Sequence, residues 1–253
     1  MIDLWCYYNR LRSLDVSGCK KLKELKCNDN KLTALDISGC KQLKELSCYK
    51  NRLTALDVSN NTKLEMLICY DNKFSSLDVS GCTQLKMLKC YNNKLSSLDL
   101  LNSTQLETLE CYNNKLSSLD VSGCTQLKVL DCYGNNFTTA ALDDIYCSLP
   151  DRTGKGKGYI YILRYASDPD SSTVAATNAQ NAIDRNWKVQ DYSADIATTG
   201  TYVCGTVHLD TYITLTVADS AEIRLNFKAA ADGTPIKIDR KSTRLNSSHG
   251  RRS

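Results

Sequence analysis

The stretch LECYNNKLSSLDVSGCTQLK, Leu109 to Lys128, puts a cysteine, Cys111, where the surrounding spacing of leucines asks for a larger apolar residue. The same choice recurs at Cys6, Cys27, Cys48, Cys69, Cys90 and Cys132, at a constant interval of 21 residues. Each cysteine stands two positions after a leucine and three before an asparagine. The chain is therefore an array, and its repeat governs every other reading.

Aligned on those cysteines, the unit reads LxxLxCxxNxLxxLDVSGCxx. One copy fills it with Leu22, Leu25, Cys27, Asn30, Leu32 and Leu35, another with Leu106, Leu109, Cys111, Asn114, Leu116 and Leu119. This is the leucine-rich-repeat signature with cysteine in the last apolar place of the strand. Leu25 and Cys27 are two apart, so in an extended segment both point inward while Lys26 and Asn28 point outward. A lone unit buries too little apolar surface to offset the entropy of ordering it, so the units must stack. The predicted class is a β-dominated α/β solenoid, a leucine-rich-repeat horseshoe with a parallel sheet over residues 1–137. The asparagine column (Asn9, Asn30, Asn51, Asn72, Asn93, Asn114, Asn135) is expected to bond the backbone of the turn. The LDVSG segments form the return, with Gly18, Gly39, Gly81 and Gly123 expected to supply positive φ.

A column of inward cysteines could be a metal cage, a disulfide ladder or a stack of small apolar groups. No CxxC pair is present, which argues against metal. In-register parallel neighbours point the same way and resist the torsion near 90° that a disulfide needs. The column reads as unpaired buried thiols. A second set, Cys19, Cys40, Cys82 and Cys124, gives way to Asn61 and Ser103 in other copies, which reads as a turn position accepting any small residue. No metal or other cofactor is expected.

At these residues the chain resembles the internalin-type bacterial leucine-rich-repeat surface proteins, most closely the internalin J kind, whose 21-residue units carry a cysteine ladder. The resemblance covers residues 1 to about 137 and implies a secreted or surface-attached bacterial protein with an adhesive or receptor-binding role.

Past the array, TTAALDDIYCSLP places Leu142, Ile145, Tyr146 and Leu149 at helical spacing behind a threonine cap. Strands are predicted at Tyr159–Leu163 and from Trp187, with a helix over STVAATNAQNAIDRNW between them. Residues 138–192 are expected to form a βα cap that continues the sheet and closes the solenoid. GKGKG, Gly154 to Gly158, reads as a flexible loop, since it lacks the hydroxyl residue and helix of a phosphate cradle. Residues 193–238 read as an incomplete β-rich module. Residues 239–253 read as an artefactual or disordered tail, because DRKSTRLNSSH is similar to a translated sequencing adapter. Setting the tail aside lowers Lys plus Arg from 32 to 27 and Asp plus Glu from 28 to 27, so the net charge falls to zero. No footprint for nucleic acid or anionic membrane remains, and no apolar run has membrane-spanning length. MIDLWCYYNRL already fits the array, so the chain reads as a piece of a longer protein and a signal peptide is not expected within it.

For catalysis, the histidine outside the tail is His208, without a supporting motif, and the aspartates of the LD column (Asp15 to Asp120) read as turn-bonding groups. An enzyme is not expected. Outward positions carry the functional expectation. Two residues before the asparagines stand Tyr7, Tyr49, Tyr70, Tyr91, Tyr112 and Tyr133, interrupted by Asn28. Mid-strand, Trp5, Lys26, Ser47, Ile68, Lys89, Glu110 and Asp131 vary from copy to copy. A constant scaffold with a varied exposed strip suits a partner-specific surface, and tyrosines add rigid contact area. The candidate ligand-binding residues are those six tyrosines with Trp5, Ile68, Lys89, Glu110 and Asp131. A protein or glycoprotein ligand bound by a monomer is the leading expectation. Carbohydrate binding by ring stacking, or a passive spacer for a further domain, are the alternatives.

Overall fold

The structure, a computed structural model, describes residues 2–204 and the strand segments 214–216 and 222–224. Residues 1–202 form one compact unit, in which every repeat supplies a three-residue strand. These are β1 (Asp3–Trp5), β2 (Glu24–Lys26), β3 (Glu45–Ser47), β4 (Met66–Ile68), β5 (Met87–Lys89), β6 (Thr108–Glu110) and β7 (Val129–Asp131). Neighbours pair in parallel with no slip, so Leu25 faces Leu46 and Leu46 faces Leu67. Three residues beyond each strand the backbone turns left-handed: Tyr8, Asp29, Lys50, Asp71, Asn92 and Asn113 have φ of 51 to 53°, and Gly134 takes the place in the last copy at 62°. The bend breaks the extended run and keeps the strands short.

The asparagines hold that bend and tie it to the repeat before. Asn72 Nδ2 donates to the carbonyls of Cys69 and Tyr70 in its own unit and of Cys48 in the preceding one, at 3.1, 3.3 and 3.1 Å. Its Oδ1 accepts from Leu53 N at 3.0 Å. One amide thus satisfies four backbone groups that packing would otherwise strand without partners. Leucines of the unit fill the interior with Cys27, Cys48, Cys69, Cys90, Cys111 and Cys132, all fully buried; Cys6, in the first copy, is only partly covered.

The return departs from expectation at its glycines. Among the described residues the glycines at positive φ are Gly134 and Gly154, not those of LDVSG. Gly39 is required for a different reason: a Cβ there would lie 2.4 Å from Ser17 O, because successive returns pack backbone against backbone. The second cysteine set does lie at a turn, with Cys40 N bonded to Ile37 O, and beyond the partly covered Cys19 that turn position faces inward. Cys40, Cys82, Cys124, Asn61 and Ser103 are all buried, in a second interior column. The LD aspartates do bond the turn, as Asp57 Oδ1 accepts from Ser59 N at 2.9 Å.

After the array come α1 (Thr139–Ser148), β8 (Gly158–Tyr161), α2 (Ser171–Ala175), α3 (Gln180–Ile183) and β9 (Trp187–Gln190). Thr138 caps α1 by accepting from Ala141 N, and Leu142, Ile145 and Tyr146 are buried. β8 and β9 extend the array's sheet to nine strands in sequence order. The single helix expected over Ser172–Trp187 is two short ones. Asn178 N donates to Asp143 Oδ1 of α1 at 2.7 Å instead of continuing the helical ladder. The far edge of β9 is covered by the chain folding back, with Ile196 N bonded to Val189 O. This cover blunts an edge that could otherwise pair with another chain. In the second unit, residues 203–253, the described elements are β10 (Thr214–Thr216) and β11 (Glu222–Arg224), which pair antiparallel. Of the expected β-rich module, residues 193–202 belong to the first unit, and residues 205–213, 217–221 and 225–238, His208 among them, lie outside the described residues together with the tail from 239.

Candidate functional site

Because the strands are in register, the last residue of each forms one line across the outward face of the sheet. It runs from Trp5 through Lys26, Ser47, Ile68, Lys89, Glu110 and Asp131 to Tyr161 of β8. Trp5 is exposed, with Lys26 Nζ 5.0 Å from its ring centre, and Lys26 also pairs with Glu24. Ile68 is half-buried, and Lys89 Nζ bonds Glu110 Oε1 at 2.7 Å. Ser47 and Asp131 depart from the expected exposure, since both are buried.

Beside this line the tyrosines form a stack of five rather than a stripe of six. Tyr49, Tyr70, Tyr91, Tyr112 and Tyr133 have ring centres 4.2 to 4.5 Å apart and planes within 12° of parallel. The 21-residue translation imposes that spacing, close to the strand separation. Tyr7 stands apart, edge-on to Tyr8 at 5.7 Å, because the copy between it and Tyr49 has the buried Asn28 in place of a ring. Burial and neighbouring phenols push the hydroxyls of Tyr70, Tyr91 and Tyr112 well above their ordinary range, and burial with the charge of Asp131 pushes Tyr133 up to about 12. The stack is neutral at any physiological pH.

At its C-terminal end the stack meets the segment that follows the array. Tyr192 packs edge-on to Tyr133 at 5.9 Å and face to face with Tyr161 at 5.1 Å. Its hydroxyl donates to Asp131 Oδ2, and Asp131 Oδ1 has no hydrogen-bond partner. Burial, with the nearby charge of Glu110, pushes the Asp131 carboxyl up to about 7; the Tyr192 bond and Lys89 act in the opposite direction. Neither Tyr161 nor Tyr192 was among the sequence candidates. Tyr161 was recoverable by aligning YIYIL with the array strands, which puts Tyr159 opposite Val129. For Tyr192, outside any repeat, no sequence signal pointed to Asp131. A flanking charge column was also missed: Lys44 and Lys86 both bond Glu65 at 2.8 Å, and Lys128 bonds Glu107 at 2.6 Å.

The interior thiols offer no comparable chemistry. The eleven cysteines from Cys6 to Cys132 are free, while Cys147, on α1, is disulfide-bonded. Burial pushes the Cys27 and Cys90 thiols up to about 12, which holds them in the unreactive protonated form. Among the described residues no cluster of three or more His, Cys, Asp or Glu side chains could hold a metal ion, and no helix is long and apolar enough to cross a membrane.

Residues 104–146 match the family profile for leucine-rich repeats (two copies). Among solved structures, the functional domain of InlJ from Listeria monocytogenes, which includes a cysteine ladder, is 27% identical with a TM-score of 0.51, over 75% of this chain and 49% of that one. The internalin InlF of L. monocytogenes is 26% identical with a TM-score of 0.54, over 57% of this chain and 45% of its own. A leucine-rich-repeat protein of Leptospira interrogans, LIC12759, shares the fold at 19% identity and a TM-score of 0.54, over 79% and 55%. The chain spans about half the length of these proteins. Comparison with curated protein sequences finds no match. The chain is built of leucine-rich repeats stacked as in the internalins, cysteine ladder included.

Proposed function

We propose, with an internalin-like leucine-rich-repeat chain as the premise, that this protein is a non-enzymatic recognition module, secreted or displayed on a bacterial surface. It acts as a monomer and binds a protein or glycoprotein through the outward strip of the sheet and the tyrosine edge beside it. One observation carries this reading. The buried leucine, cysteine and asparagine positions are nearly invariant from copy to copy, while the outward strip passes through tryptophan, lysine, serine, isoleucine, lysine, glutamate and aspartate. Repetition by itself would have copied one residue along the strip, as it did inside.

The tyrosines favour a protein over a sugar. A glycan stacks on ring faces, and in this column each interior ring spends both faces on its neighbours. What remains is a rigid row of ring edges and hydroxyls, suited to flank a peptide surface. The strip carries both signs of charge and contains Ile68, which fits a mixed protein surface better than a uniformly anionic polymer.

The test is a binding assay against bacterial or host cell-surface proteins with Ile68→Glu combined with Tyr70→Ser, alongside Asp99→Asn on the return as a control. Binding should fall at least tenfold in the first variant and stay unchanged in the second. Full binding by a folded Ile68→Glu/Tyr70→Ser chain removes the strip from the reading, and retention on a glycan array lost in the same variant moves the ligand class to carbohydrate.

A further inference from the structure

We infer that Asp131, beneath the phenol of Tyr192 at the C-terminal end of the strip, is a covered docking point for a cationic side chain, the ammonium or guanidinium of a lysine or arginine on a protein partner. The inference rests on the recognition role proposed above and narrows it to one contact and one chemistry.

The first argument is an unmet need. Asp131 is 4% exposed; Oδ2 accepts from Tyr192, and Oδ1 accepts from nothing. A buried carboxylate ordinarily has its lone pairs filled, because desolvation is otherwise uncompensated. The neighbours leave the charge unmet as well. Lys89 sits two strands away and is committed to Glu110 at 2.7 Å. Arg164, on the other side, lies over the Tyr165 ring at 5.3 Å. Beneath the sheet, Cys111 and Cys132 are neutral thiols whose pKa burial has raised. Lys89, Glu110 and ionised Asp131 together leave one negative charge unbalanced on the strip.

The cover is built to move. Tyr192 is 53% exposed, and the turn that carries it is pinned independently of its ring. Asp191 Oδ1 accepts from Ser193 N, Ser193 Oγ and Ala194 N, each at 2.7 Å. Rotation about the Tyr192 side-chain bonds therefore uncovers Asp131 with no change in the backbone, a motion that exposed side chains complete rapidly. The same rotation frees the face of Tyr161 now stacked under Tyr192. A cation entering there would meet the carboxylate in front and an aromatic face alongside, which is the arrangement that attracts ammonium and guanidinium groups.

A proton competes for the same carboxylate. With the Asp131 pKa near 7, its ionised fraction rises about tenfold between pH 6 and pH 8. Cation binding should strengthen in step, since only the ionised form is a partner. The Tyr192 hydroxyl, pushed far above its ordinary value by burial and by Asp131, stays protonated throughout and contributes no second transition.

The test titrates the intact chain, with ring-labelled tyrosine, with methylguanidinium chloride and reads the NMR signals of Tyr133, Tyr161 and Tyr192 at pH 6 and pH 8. The expected result is a saturable shift of all three at pH 8, about tenfold weaker at pH 6, lost in Asp131→Asn and tightened in Tyr192→Phe, which removes the competing hydroxyl. Unmoved signals at pH 8, equal affinity at the two pH values, or undiminished binding by Asp131→Asn would each overturn the inference. The pH comparison needs no variant, so a poorly folding mutant cannot rescue it. A strip that binds its protein partner while methylguanidinium does nothing would sink this contact and leave the recognition role standing. Methylguanidinium binding by a chain with no protein partner would do the reverse.

Discussion

Two columns of cysteine run through the interior, and the repeat treats them differently. The strand column, Cys27 to Cys132, is cysteine in every copy; the return column is cysteine at 19, 40, 82 and 124 but Asn61 and Ser103 elsewhere. Burial does not separate them, since Asn61 is as buried as Cys90. The difference is the acceptors they face. In the return column Cys40 Sγ points at Val16 O at 3.5 Å, and Asn61 Nδ2 donates to Ile37 O and Cys40 O at 3.2 and 3.0 Å. That niche is lined by carbonyls of the preceding repeat and rewards any small donor. The strand column stands among leucines and rewards a small apolar group that needs no partner. The same residue type thus occupies two sites for opposite physical reasons.

The largest expected effect comes from a third column that also reaches into the preceding repeat. Asn72→Ala would leave the Leu53 amide and several buried carbonyls without partners, and should cost about 3 kcal/mol in urea unfolding. The two thiol columns separate next. Cys90→Ser, a hydroxyl placed among leucines, should cost about 2 kcal/mol, whereas Cys82→Ser should stay within about 0.5 kcal/mol because Val58 O and Asn61 O are there to accept. Equal costs would break the distinction. Asn61→Cys sharpens it from the other side: Asn61 Oδ1 is buried without a partner, so removing it should raise stability by about 1 kcal/mol.

The smallest effect lies on the surface. Lys44 and Lys86 hold the Glu65 carboxyl down to about 2, so its contribution is present above the unfolded value of 4.5 and is lost as pH falls toward 2. Because all three side chains are substantially exposed, Glu65→Gln should cost less than about 1 kcal/mol at pH 7 and nothing near pH 2. A larger loss would mean the charge column does more than decorate the stacked repeats.

Much of this was legible in the sequence. The strands, their register and the free buried thiols follow from a period of 21 and from the alternation of Leu25 with Cys27. The asparagine role was legible too, because an amide is the side chain that both donates and accepts at a turn. The glycine rationale was not. Gly39 reads as a φ requirement, yet its constraint is a carbonyl 22 positions earlier on the neighbouring return, close in space and invisible in the local stretch. The tyrosine stripe was legible as a line and not as a closed stack, since spacing reports which way a ring points and not what its faces touch.

What the sequence alone determined is everything that recurs: a unit that cannot bury its apolar side by itself, and so must pile up in register, dictates its own strand, interior and bend. What the tertiary structure decided lies where recurrence stops. Asp131 occupies the same outward place as Lys89 and Glu110, yet it is buried because Tyr192, 61 residues further on, is set over it by a turn that belongs to no repeat. Exposure is a property of what stands opposite a residue. At the end of an array that neighbour comes from the chain beyond it, whose position only packing fixes.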